Sequence, residues 1–68
     1  MEAQIKFRSL GEQYDRKVVV KESHINNGFA VDYMIKTNAW HTLHHLEGYS
    51  TFTEALESAT SLVKALRL

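Results

Sequence analysis

The sequence predicts one α+β domain over residues 1–68, an antiparallel meander of three to four strands with a C-terminal amphipathic helix packed across one face, in the order β-β-β-β-α. Three observations carry this reading. The last quarter of the chain repeats apolar residues at helical spacing, and the part before it alternates apolar and polar residues at the period of a strand. The three glycines, Gly11, Gly28 and Gly48, fall between these segments, where chain reversals belong.

From Ala3 to Ser9, Ile5 and Phe7 share one face and Lys6 and Arg8 the other. A loop follows at Gly11-Glu12-Gln13-Tyr14-Asp15, and Lys17-Val18-Val19-Val20-Lys21 reads as a β-branched strand. Asn26-Asn27-Gly28 is a strong hairpin signal because Asn and Gly both tolerate positive φ. Phe29 to Thr37 alternates again, with Phe29, Val31, Tyr33 and Ile35 on one face and Ala30, Asp32, Met34 and Lys36 on the other. A two-residue turn at Asn27-Gly28 pairs Asn26 with Phe29, and then sets Val20 opposite Ile35 and Val18 opposite Thr37. That register puts the apolar sets on one side of the sheet, and a slip of one residue destroys the match.

Residues 40–48 support two structures. As a helix the run is capped by Asn38 and stopped by Gly48, with Trp40, Leu43 and Leu46 on one face. As a strand, entered by a tight turn around Asn38, it sets Trp40, Thr42, His44 and Leu46 beside the apolar row of the preceding strand. The strand is preferred because it continues the meander and suits the aromatic content. The final helix is the clearest element. Phe52, Ala55, Leu56, Ala59, Leu62, Val63 and Leu66 form its stripe, and Thr51 with Glu54 matches a capping box. Glu54 and Glu57 near its start, and Lys64 and Arg67 near its end, complement the helix dipole.

Composition narrows the function. A chain of 68 residues buries a thin core, and it holds no cysteine to staple that core. A protein partner, and first of all a homodimer, is therefore the physical expectation. Eight basic and eight acidic residues give a formal net charge of zero, which lowers the expectation of a phosphate-binding surface and tolerates association. No apolar run approaches the ~18 residues of a membrane span. The segment Met1-Glu2-Ala3-Gln4-Ile5-Lys6 lacks the apolar stretch of a signal peptide, so the expected location is the cytoplasm, with no membrane partner.

The residues that could carry chemistry point away from catalysis. Four histidines stand at 24, 41, 44 and 45. On a strand His44 and His45 point to opposite faces, and His41 and His45 share a face about 13 Å apart, too far for one metal ion. Asp32 lies within reach of His41 as a surface pair, and Glu54 and Glu57 are explained by their place at a helix start. No nucleophile elbow and no glycine-rich phosphate loop is present. The expectation is no catalytic residue, no metal, no cofactor and no small-molecule substrate.

Two binding readings remain. In the first, the outward sheet face carries a partner patch of Val19, Met34, Leu43, His41, His45 and Tyr49, apolar at its centre and polar at its rim. Strand edges and the small outer residues of the helix, Ser58, Ser61 and Ala65, offer further contacts. In the second, Lys6, Arg8, Lys17, Lys21 and Lys36 line that face for nucleic acid. Trp40, the Gly48-Tyr49 pair and a helix opening with Glu54-Ala55 follow an order of elements that resembles the AP2-like arm-binding domains of phage integrases and the double-stranded-RNA-binding fold. That resemblance implies a nucleic-acid-binding sheet. The expected function is a non-enzymatic, self-associating protein–protein interaction module that occupies a partner surface. Its size suits an accessory or inhibitory protein of a phage or mobile element. The alternative is a small nucleic-acid-binding regulator.

Overall fold

The computed structural model describes residues 3–7 (backbone alone at 5–7), 15–25 and 27–68. Strands β1 (Ala3–Phe7), β2 (Arg16–Glu22), β3 (Phe29–Lys36) and β4 (Trp40–Tyr49) form one antiparallel sheet in chain order, and helix α1 (Phe52–Ala65) follows. Residues 40–49 are thus a strand. Arg8, Ser9 and the 11–14 loop lie outside the described residues.

Helix α1 forms where its caps and stripe place it. Thr51 stays extended (φ −128°, ψ 156°), and its Oγ1 accepts the Glu54 N–H at 3.1 Å. At the other end Arg67 turns left-handed (φ 56°). The Arg67 N–H donates to the Lys64 carbonyl at 3.2 Å and the Leu68 N–H to the Val63 carbonyl at 3.0 Å. These are the two bonds of a Schellman closure, with Leu68 folded back against the core.

The core is small. Val18, Val20 and Val31 are fully buried beneath Ala55 and Ala59. Two alanines on the contact stripe let the helix lie close to the sheet, and each enclosed valine contributes about 1.5–3 kcal/mol. Phe29 and Phe52 meet edge-to-face with centroids 5.8 Å apart. Tyr49 Oη and Ser58 Oγ share a hydrogen bond of 2.5 Å, which ties the end of β4 to the helix. The helix sits chiefly on β2 and β3 and only lightly on β4.

The β2–β3 register differs from the sequence expectation. Val20 pairs with Val31, Val18 with Tyr33 and Glu22 with Phe29, in place of Val20 with Ile35 and Val18 with Thr37. The shift is an even number of residues, so every side chain keeps its face. The connection is accordingly longer than a two-residue Asn27-Gly28 turn. The Ser23 N–H donates to the Gly28 carbonyl at 2.9 Å and the Gly28 N–H to the Ile25 carbonyl at 3.2 Å. Asn26, expected opposite Phe29, lies outside the described residues. Asn27 has φ 52° and Gly28 does not have a positive φ. Glycine is required at 28 for space, because a Cβ there would stand 2.5 Å from the Tyr49 carbonyl oxygen.

Strand β4 departs from regular alternation twice. Tyr33 pairs with His44 but Met34 pairs with Thr42, so Leu43 is an extra residue. Between the Phe29–Tyr49 and Val31–Leu46 pairs, Ala30 stands opposite both Glu47 and Gly48, and Gly48 takes φ 97°. The bulge at Leu43 reverses the facing of everything before it. Trp40 and Thr42, expected beside the core row, register with Lys36 and Met34 on the face away from the helix.

Two substitutions with opposite outcomes test these backbone assignments by urea unfolding. Gly28→Ala forces the loop off the Tyr49 carbonyl and lowers stability by about 1–3 kcal/mol. Arg67→Gly relieves a left-handed residue and raises stability by about 0.5 kcal/mol.

Candidate functional site

The face opposite the helix carries a chain of charged and polar groups. It begins at Asp32 in the middle of β3, whose side chain is only 4% exposed. Antiparallel pairing brings two neighbouring strands to it: Val19 of β2 and His45 of β4 stand directly opposite, and Lys21 is the next residue of β2 on the same face. Lys21 Nζ lies 2.6 Å from Asp32 Oδ2, and His45 Nδ1 bonds Asp32 Oδ1. On the far side of the ring, His45 Nε2 lies 2.8 Å from Glu47 Oε1. Ser23 Oγ donates to Glu47 Oε2 at 2.7 Å and accepts the Ile25 N–H at 3.1 Å.

Each charge state follows from its neighbours. Burial works against ionisation of Asp32, but hydrogen bonds from Lys21 and His45 outweigh it and hold the carboxyl below its ordinary range. The bond to Asp32, and after it the bond to Glu47, raise the His45 imidazole above its ordinary value. The Ser23 hydroxyl, opposed by desolvation and supported by His45, keeps Glu47 below the usual carboxylate range. Carboxylates on both sides favour the protonated ring, in which both nitrogens of His45 donate. Such a ring has no free nitrogen to act as a base, and both carboxylates are weakened as bases. The arrangement fixes charge across three strands.

Sequence reasoning did not find this cluster. It put Asp32 opposite His41, whereas the partner is His45, and it gave Lys21, Ser23 and Glu47 no role with Asp32. One signal was available: a carboxylate at the centre of a middle strand demands a partner, and residues 45 and 47 share a face.

The six residues expected to form one partner patch are distributed. Val19 is only 5% exposed, so it offers a partner little surface. Met34 is half-buried on the outward face, and His45 belongs to the charged chain there. Leu43 is 58% exposed at the bulge. His41 pairs with Ile35 on the helix side, where its Nε2 bonds Thr37 Oγ1 at 3.1 Å. His41 and His45 therefore face opposite ways, contrary to the regular-strand expectation. Tyr49 also lies on the helix side, on Ser58. Among the described residues no group of three or more His, Asp or Glu side chains is arranged to hold a metal ion.

Of the expected basic row, Lys17 Nζ lies 4.2 Å from the Trp40 ring centroid, a cation–π contact created by the β4 reversal. Lys21 is paired with Asp32, and Lys36 is exposed opposite Trp40. The backbone of Lys6 pairs with Lys17, and Arg8 lies outside the described residues. No described helix is long and apolar enough to cross a membrane.

Comparison with protein-family models, with curated proteins and with solved structures returns no match.

Replacing Asp32 with Asn removes the charge that holds Lys21 and His45 together. Stability should fall by about 1–3 kcal/mol, the range for disrupting a buried hydrogen-bonded group whose partners can still reach water. The His45 titration followed by NMR should move down toward its ordinary 6.5. An unchanged His45 titration would contradict the pairing.

Proposed function

We propose that this chain is a non-enzymatic protein-binding module and that its first partner is a second copy of itself, seated along β4. One observation carries the reading: the five successive residues His41 to His45 are all exposed. Successive side chains of a strand face opposite sides, so such a run means that neither face of β4 is covered there. β4 is also the last strand of the sheet, with no strand among the described residues paired to its outer edge, and Leu43 stands out at 58% exposure in the middle of the run. Among the described residues the fully buried core cluster is three valines and two alanines, and the zero formal charge sets up little repulsion between copies. The charged chain around His45 supports the non-enzymatic reading, since its groups neutralise one another.

Sedimentation velocity from micromolar to millimolar protein tests the proposal. A concentration-dependent shift to twice the mass is expected. Leu43→Glu should weaken association about tenfold or more, because each copy loses the burial of a leucine. The melting temperature of dilute protein should barely move, since Leu43 is outside the core. A monomer at every concentration would overturn the reading. Retention on heparin that falls steeply with salt would instead favour nucleic acid on Lys17, Lys21 and Lys36.

A further inference from the structure

We propose that His45 is the pin of a pH-dependent latch that holds the β2–β3 loop against β4. The line of contacts is continuous. Asp32 fixes one side of the imidazole, Glu47 holds the other at 2.8 Å, and Glu47 takes the Ser23 hydroxyl at 2.7 Å. Ser23 in turn fixes the loop, through its Oγ on the Ile25 N–H at 3.1 Å and its N–H on the Gly28 carbonyl at 2.9 Å. The loop therefore meets β4 at the Ser23–Glu47 hydrogen bond, as well as where Gly28 lies against Tyr49, and the His45 ring holds in place the carboxylate that Ser23 grips. Ile25, at the far end of this line, is 61% exposed.

Bridging two carboxylates takes two N–H donors, and only the imidazolium has both. A neutral ring has one donor and one lone pair, so it keeps one carboxylate and repels the other. Which one it keeps follows from exposure. Asp32 is only 4% exposed, whereas Glu47 is 30% exposed and can turn out to solvent. The neutral ring therefore stays on Asp32. Glu47 then loses the donor that aims its carboxylate, its bond to the Ser23 hydroxyl loosens, and this tie between the loop and β4 weakens.

The charged neighbours agree with this sequence of events. β3 presents Asp32, and β2 presents Lys21, which stays on Asp32 whatever the state of the ring. Lys21, Glu22 and the loop's His24 line the same cleft as His45 and Glu47. On β4 itself, His44 and His41 face the other side. β1 brings Gln4, which is uncharged, opposite Val19, and α1 packs on the other face.

The folded ring titrates above its ordinary 6.5, so its contribution is complete below about pH 6.5 and is lost as pH rises through the higher folded value. The two carboxylates titrate below their ordinary 3.8 and 4.5, so theirs is complete above those values and is lost as pH falls through the lower folded ones. The latch is closed in the interval and opens on the alkaline side.

The latch belongs to a single copy and does not rest on self-association, so its test uses the full chain at dilution. NMR hydrogen exchange would give protection factors for Ile25 and Gly28 between pH 5 and 9, alongside the His45 ring nitrogen shifts. Protection at both amides should drop about tenfold, with the midpoint of His45 deprotonation. Glu47→Gln carries an amide that can bond either ring state, so its His45 should still titrate while the step in protection disappears. Protection that stays level through the His45 titration, or a step that persists in E47Q, would overturn the latch. The E47Q melting temperature separates loss of the latch from loss of the fold.

Discussion

One extra residue in β4 decides what the face away from the helix presents. A strand alternates strictly, so inserting Leu43 opposite no partner inverts every side chain between it and the β3–β4 turn. The second half of β4 keeps Leu46 over the valine core and turns His45 to Asp32. The first half sends Trp40 out over Lys17 and His41 in toward Thr37. Without the bulge, His41 and His45 would share a face and Trp40 would compete for the space above Tyr33 and Ile35.

The two faces are held by different physics. On the helix side, valines and alanines exclude water, and the energy scales with the area they cover. On the other side, Asp32 is enclosed as thoroughly as a core residue, and an enclosed carboxylate persists as an ion only beside cations. Lys21 and His45 supply them from the two neighbouring strands. The outward face thus ties β2, β3 and β4 together near one end. The helix does the same for β2 and β3 from the opposite side, and the first half of β4 is left uncovered.

Much of this was legible in the sequence, and the remainder failed for identifiable reasons. Fold class, strand order, the helix and its Thr51 cap follow from periodicity and capping chemistry. Register failed by an even number, because a hydrophobic pattern of period two cannot tell Val31 from Ile35 as the partner of Val20. The bulge at Gly48 had a signal, a glycine within a strand pattern. The bulge at Leu43 had none, since Thr42-Leu43-His44 reads as ordinary strand. That one omission misplaced Trp40, Thr42 and His41, and it hid the fact that of the two histidines only His45 can meet Asp32. Gly28 was correctly marked as a turn glycine, but for its φ rather than for the nearby Tyr49 carbonyl, a tertiary contact that no local pattern reveals.

The facing of Trp40 is the most direct measure of the inverted half-strand, and nuclear Overhauser spectra of the indole ring report it. The account predicts cross-peaks from the ring to the Lys17 methylenes, with the Lys17 ε-protons shifted upfield by the ring current. Cross-peaks from the indole to Tyr33 and Ile35, with Lys17 unshifted, would mean that β4 runs regularly through Leu43, and would contradict it.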